Sequence, residues 1–451
     1  MKIQKQVPLT EGPILKSLTG LAVPIMISSF LGTLYNITDM AWIGLLGSKA
    51  VAAVGVGGMY VWLSQGLASL ARMGGQVHVA QCLGRGDKEQ AHRYAKTAVQ
   101  LSILLGLAFA AVSLLFTDPL VGFFKLEGVK TILDAKIYMR ITCGLILFSF
   151  LNLTLTGVYT AQGDSKTPFV ANFIGLLINL LLDPLLILGV GPFPRIEVAG
   201  AAVATVSAQF VVMFVMMVRV FRSKKEENVL KGIRLFEPFS KEELGNICKI
   251  GGPTAIQGMV YCMISMVLTR MVAAFGAEAI ATQRVGGQIE SVSWNTADGF
   301  AAALNAFVGQ NYGAKKMDRV QKGYRISFWT VAIWGALIML AFIIFPGPIA
   351  GVFFHEEKAM EIAISYLIII GFSEAFMCVE LMTIGALSGL GKTKLCSVIS
   401  ITATSMRIPL AMVLSRTSLG LDGIWWALTL TSVAKGIIFY LTFRYQMREK
   451  C

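Results

Sequence analysis

The chain has 451 residues, 55% of them hydrophobic and only 14% charged, with a formal net charge of +13. That balance excludes an ordinary soluble domain and predicts a polytopic membrane protein. It also excludes nucleic acid as a partner, because the Lys and Arg residues lie in short connections between apolar runs, where they orient a chain in a bilayer.

Twelve apolar runs follow one another, near 15–44, 51–79, 97–117, 136–160, 169–190, 198–221, 250–275, 280–308, 325–346, 361–388, 396–415 and 422–444. Each is long enough to cross a bilayer as a helix, and none alternates as a barrel strand would. The basic segment ahead of the first run is followed by no small-residue cleavage site, so that run is read as its own insertion signal. Connections dense in Lys and Arg alternate with sparse ones. The dense set begins with Lys2, Lys5 and Lys16, continues through 85–96, Lys166, 222–241, 315–322, Lys392 and Lys394, and ends with Arg444, Arg448 and Lys450. The sparse set holds Lys49, Lys125, Lys130, Arg195, Lys358 and Arg416. The dense side is expected to be cytoplasmic, with both termini on it, in a plasma or inner membrane.

The first run is the most informative. Residues 21–55 carry Pro24 near one end and Asn36 and Asp39 deep inside. An ionised aspartate at the centre of a span costs about 3 kcal/mol on insertion scales, so a chain that keeps one is expected to use it. Pro24 removes a backbone donor and invites a hinge. Asn36 and Asp39 are three apart and are expected to share a helix face; the plain alternative is a polar pair satisfied by a neighbouring span. Further along, Asn179 and Asp183 are four apart, beside Pro184. Asn152 pairs with Thr156 on the fourth run, and Thr205 with Gln209 on the sixth. These acids and amides are expected to converge inside the first half of the chain. Bulky side chains, among them Tyr35, Met259 and Tyr261, are candidates for an apolar cavity, with ordinary packing as the alternative.

The longest polar connection, at the middle of the chain, separates two copies of one pattern. Pro24 and Gly47 recur as Pro253 and Gly276, both displaced by 229; Gly157 and Gly163 recur as Gly385 and Gly391, displaced by 228. VAQCLGRGDK from Val79 matches VGQNYGAKKM from Val308 through Val, Gln and Gly. The expected organisation is an all-α protein of two six-helix lobes, 1–221 and 250–451, joined by a cytoplasmic linker at 222–249 and related by a pseudo-two-fold axis along the membrane normal. The second lobe does not repeat the acids, since Leu268 stands against Asp39 and Ile408 against Asp183. Its own charges include Glu290, Asp298, Glu374, Glu380, Arg407 and Lys435, for which structural pairs such as Arg407 with Glu380 are expected.

Catalytic patterns do not emerge. His78, His92 and His355 lie in unrelated runs without HExxH, the seven cysteines form no CxxC pair, and the glycines form no phosphate-binding loop. Neither an enzyme nor a cofactor is expected.

Taken together, the proline ahead of Asn36-x-x-Asp39, the AVAAVG after Gly47, the AQGDSKTP at Ala161, the LDP at Leu182, the VAGAAVAT at Val198 and the VGQNYGA at Val308 resemble the multidrug and toxic compound extrusion (MATE) transporters. The resemblance spans essentially the whole chain. It implies alternating access by two facing lobes and export of cationic, amphipathic small molecules against an inward proton or sodium gradient. In the DinF-like branch it implies a cation site at Asp39, Asn179 and Asp183. The residues themselves add Asn36, Asn152 and Thr205 as candidate neighbours of that site, and Tyr35, Gln209, Tyr261 and Met259 as candidates for the substrate cavity. Proton coupling is the preferred expectation; sodium at Asp39, Asp183 and Asn179 is the variant. Another branch uses acids on the seventh and tenth spans, which leaves Glu374 and Glu380 in question. A lipid-linked saccharide flippase of the same superfamily is the alternative transporter, and a membrane-embedded enzyme or sensor the alternative from another class. The chain is expected to act as a monomer.

Overall fold

The computed structural model describes residues 7–126, 128–189, 194–224, 228–235, 237–238, 240–354 and 357–448. Lys2, Lys5, Lys225, His355, Lys450 and Cys451 lie outside them. Every regular element among the described residues is an α-helix. The first half contains α1 (Ile14–Gly44), α2 (Ser48–Arg85), α3 (Lys88–Leu115), α4 (Thr117–Gly122), α5 (Val129–Gly144), α6 (Leu147–Ala161), α7 (Lys166–Ile187) and α8 (Glu197–Arg222). The second contains α9 (Lys241–Ala273), α10 (Ala277–Gly313), α11 (Met317–Ile344), α12 (Pro346–Gly351), α13 (Glu357–Gly371), α14 (Glu374–Gly389), α15 (Thr393–Ser405), α16 (Arg407–Leu414) and α17 (Leu421–Arg448).

Polar chemistry sets the helix boundaries at the connections. Gly86 takes a left-handed conformation and closes α2, and the next residue, Asp87, caps α3 by accepting from the Gln90 amide at 2.9 Å. Asp164, one residue ahead of the N-cap Ser165, accepts from the Thr167 amide in the first turn of α7 at 3.0 Å. Among the described residues nine helical passes are individually long and apolar enough to cross a membrane, α15 and α16 together making one of them. Two more are bent pairs: α5 with α6 at 42° and α13 with α14 at 50°. The remaining apolar run of the sequence is α10, which has the length but carries Arg284, Glu290 and Asp298 among amides. The bends are repeat mates, and the backbone repeats elsewhere too: Gly47 and Gly276, ahead of α2 and α10, have φ of 101° and 112°.

Packing divides the chain into two compact units. One is built on Ile27–Gly258; the other joins Pro8–Met26 to the chain from Met259 onward. The division by packing therefore passes through α1 and α9 instead of through the polar connection between halves. The start of α1 belongs with α10: a Cβ added to Gly299 would lie 2.4 Å from Met26 Cγ. The start of α9 belongs with α2, where a Cβ on Gly251 would lie 1.9 Å from the Leu70 carbonyl oxygen. Glycine is required at both crossings because only its bare backbone allows helices this close. Pro24 and Pro253 both stand in the segments that precede these transfers.

Each unit has its own core. In the first, Ala95, Ala98, Val158 and Tyr159 pack around α2, α3 and α6; in the second, Tyr366, Leu367, Ile370 and Trp425 pack around α13 and α17. The opposite helix faces stay apolar and exposed, as at Leu181, Phe214, Ile333 and Val413, which is the arrangement a lipid solvent requires.

Candidate functional site

Within the first unit α1, α5, α7 and α8 bring a set of polar groups together. Asp183 is fully buried and Asn179 nearly so, one turn apart on α7, with Asn179 Nδ2 donating to Asp183 Oδ1 at 3.1 Å. The four-residue spacing makes that bond, since i and i+4 stack on one helix face. Asp39 of α1 is 8% exposed and lies within electrostatic reach of Asp183. One turn earlier, the Tyr35 hydroxyl donates to Thr205 Oγ1 of α8 at 2.9 Å, holding α1 against α8. Asp39 Oδ1 and Asp183 Oδ2 are both buried without a hydrogen-bond partner. Buried acceptors are ordinarily satisfied, so the two orphaned carboxylate oxygens mark this cluster as a candidate site, as the two orphaned oxygens of Glu374 mark the second unit.

Tyr138 of α5 joins the cluster without being marked by the sequence pattern. It is buried and lies within reach of both aspartates, and its ring fills the space over Gly57 of α2. A neutral side chain on a run with no acid carries no local signal. The available hint was that Gly57 and Tyr138 recur as Gly286 and Tyr366, displaced by 229 and 228.

Other expected residues separate from the cluster. Asn36 is exposed whereas Asp39 is buried. Three helical residues subtend 300°, so the two side chains diverge by about 60°, enough at this boundary for one to face the interior and the other to face out. Asn152 of α6 donates to the Gln209 carbonyl at 2.9 Å, a bond between α6 and α8, and its own Oδ1 is buried without a partner. Tyr35 and Gln209 belong to the first unit, while Met259 and Tyr261 lie on the part of α9 that belongs to the second. Pro24 lies inside α1, two residues before that helix passes from one unit to the other.

The second unit has buried charge of its own, paired differently from the sequence expectation. Glu380 does not meet Arg407. It accepts from Lys435 of α17 at 2.7 Å, with both side chains buried. Arg407 instead donates to Thr431 Oγ1 at 3.0 Å and to Ser432 Oγ at 2.9 Å. Helical periodicity assigns a charge to a face but not to a neighbour, and α17 presents Lys435 to α14 while turning its hydroxyls to α16. Around Tyr366 of α13, the repeat mate of Tyr138, stand two further acids. Glu290 of α10 accepts the Tyr366 hydroxyl, Arg407 acts on Glu290 from α16, and Glu374 of α14 is fully buried within reach of Glu290.

Comparison with known proteins places this architecture. A sequence model of the MatE family matches residues 24–185 and 253–413, one match in each half of the repeat. The Thermotoga maritima protein named "Probable multidrug resistance protein NorM" is 29% identical over 98% of this chain and 95% of its own length. A MATE solved in the straight conformation superposes with a TM-score of 0.90, at 24% identity over 99% of both chains. A MATE in the bent conformation gives 0.88, at 24% identity over 99% of this chain and 98% of the other. With the family pattern matched in both halves and the two-lobe helical fold matched end to end, this chain belongs to the MatE (MATE) family of multi-pass membrane transporters.

Proposed function

We propose that this protein is a secondary active antiporter that exports cationic, amphipathic small molecules by alternating access, driven by inward proton flow. The observation that carries the reading is the pair of orphaned oxygens on Asp39 and Asp183. Two buried carboxylates within reach of each other cannot both stay ionised cheaply, so the pair holds a proton or another cation in at least one state of the cycle. Asn179 presents its amide N–H to Asp183, which suits a carboxylate pair sharing a proton better than a ring of oxygens around sodium. Tyr35 and Thr205 fix the middle of α1, so a change of charge at Asp39 acts on a helix whose other end starts in the second unit beyond Pro24. Loading and unloading the pair then alters α1, and with it the path open to a lipophilic cation. The multidrug names of relatives such as the Thermotoga protein support the substrate class. In this reading Asp39, Asp183 and Asn179 form the coupling site and Thr205 supports it. The protein works as a monomer in the plasma or inner membrane with its termini in the cytoplasm.

The test is flux of a cationic dye in proteoliposomes, with proton and sodium gradients imposed separately. A proton gradient alone should drive dye uptake or release, and Asp39→Asn should stop it while the variant remains folded and inserted. Dye movement driven by sodium alone overturns the proton assignment, and wild-type flux from Asp39→Asn removes the site. Orientation is checked by cysteine labelling of intact cells, where position 195 should react and position 166 should not.

A further inference from the structure

A cavity of about 570 Å³ opens between α11 and α17 of the second unit, its lining among the described residues coming from those two helices. Residues 321, 324, 325, 328 and 329 on α11 and 440, 443, 444, 447 and 448 on α17 contribute to it. Both sets follow the spacing of a single helical stripe, so each helix turns one continuous face into the cavity. The floor is aromatic. Tyr324 and Phe443 stack with centroids 3.6 Å apart, and the Tyr324 hydroxyl is tied to Thr383 of α14 at 3.0 Å. Phe328 and Tyr440 form a second contact at 5.1 Å, and Trp329 stands beside them, 57% exposed. The rim is basic: Arg325, Arg444 and Arg448 all border the cavity, and Arg444 lies over the Tyr440 ring at 5.8 Å. Among the described residues no carboxylate forms an ion pair with any of these three arginines.

The first unit shows what this face does when it is covered. Lys96 of α3 is the repeat mate of Arg325, and Gln100 is the mate of Trp329, both displaced by 229. There the connection after α8 folds back over α3. Glu237 gives its carboxylate to Lys96 at 2.7 Å, and Gln100 donates to the carbonyls of Leu235 and Glu237 at 2.9 and 2.7 Å. Val229 and Leu230 of the same connection are buried against the core beneath. An anion on the basic residue, backed by an apolar group in the groove, thus completes the first unit from within. The corresponding face of the second unit is the cavity.

We propose that this groove binds an anionic phospholipid, its phosphate held by Arg325 and Arg444 and its acyl chains lying over Phe328 and Trp329. The chemistry matches at both ends. Arginine forks suit phosphate oxygens, exposed aromatic rings at a span terminus suit the membrane interface, and basic pockets between spans on the cytoplasmic side take acidic headgroups. Lys315, Lys316, Arg319 and Lys322 at the start of α11 add to the same positive field. The leaflet is the inner one if the basic connections are cytoplasmic.

The test is native mass spectrometry of the purified full chain with phosphatidylglycerol, cardiolipin or phosphatidylcholine. The wild type should retain the two acidic lipids in preference to phosphatidylcholine. Arg325→Gln with Arg444→Gln should lower acidic-lipid retention by about 25-fold, at about fivefold per arginine, and leave phosphatidylcholine unchanged. Equal retention of all three lipids by the wild type overturns the proposal, as does an unchanged double variant. Displacement of the lipid by millimolar inorganic phosphate overturns it as well, since the groove would then be an ion site. Should the double variant fail to fold, brominated phosphatidylglycerol supplies the readout. It should quench wild-type fluorescence more than brominated phosphatidylcholine does, and Trp329→Phe should remove that difference; a difference that survives rejects the groove.

Discussion

Tyr138 and Tyr366 occupy equivalent places in the two halves of the duplication, each ring packed over a glycine of a preceding long helix: Gly57 on α2 and Gly286 on α10. Around Tyr138 the acids are Asp39 and Asp183, with no Lys or Arg among the described residues acting on either and one oxygen of each left unpartnered. Around Tyr366 the acids are Glu290 and Glu374, drawn from other helices, with Arg407 acting on Glu290 and the tyrosine hydroxyl bonded to it, while both Glu374 oxygens are unpartnered. The scaffold was duplicated and the chemistry was not. Backbone packing is intolerant, because a Cβ at either glycine would strike a ring, whereas any helix that faces the shared hollow can supply a charge to it. A position-by-position alignment therefore misses the second cluster, which uses the same hollow from different positions.

The sharpest way to break this comparison is to neutralise one acid in each cluster. Asp183→Asn should abolish proton-driven dye flux, and Glu374→Gln, removing an acid from the cluster that already contains a countercharge, should retain most of it. The reverse outcome would transfer coupling to the second unit. A second contrast concerns stability. Glu380 and Lys435 are buried partners, so Lys435→Met leaves an unpaired carboxylate and should cost about 3–5 kcal/mol, while Lys435→Met with Glu380→Gln should recover much of it. Thermal unfolding in detergent reads both, and a single variant as stable as wild type would mean the pair is not desolvated.

The shared scaffold can be probed at the glycines. A Cβ at Gly286 would lie 2.1 Å from the Tyr366 ring and one at Gly57 2.4 Å from the Tyr138 ring, so each alanine substitution should cost about 1–3 kcal/mol as overpacking. Gly57→Ala should also impair flux, because it displaces Tyr138 from the aspartates; if only Gly286→Ala impairs flux, the functional assignment of the two hollows is reversed. The smallest expected effect is at the connection after α8. The Lys96 ammonium beside Glu237 holds that carboxyl below its ordinary range. Its contribution is therefore present above the ordinary carboxylate range and is lost as the pH falls through the lower folded value. With a cysteine at position 235, labelling should be slightly slower in the otherwise wild-type protein than in Glu237→Gln above about pH 4 and equal to it below, the two being compared at each pH because the thiolate fraction itself falls in acid.

How much of this was legible in advance differs by kind of residue. The Asn179–Asp183 bond was readable because both partners lie on one helix, where spacing is geometry. Asn36 was paired with Asp39 by the same rule and diverges from it, because at a three-residue spacing the outcome depends on where the buried face ends. Pairing Arg407 with Glu380 requires knowing which helices are neighbours, and α17 supplies Lys435 to Glu380 instead. Tyr138 had no charge to betray it.

The sequence alone determined that the chain is helical, that it crosses a membrane many times and that its halves repeat, because length, apolar content and displacement are properties of the chain as a line. It also marked Asp39 and Asp183, since a carboxylate inside an apolar run is costly wherever the helix packs. Only the tertiary structure decided which polar groups meet, that α1 and α9 each begin in one packing unit and end in the other, and that the groove between α11 and α17 is lined by arginines facing no acid among the described residues. Those facts depend on contacts between helices far apart in the chain, and one-dimensional periodicity specifies a face for each helix without naming what lies opposite.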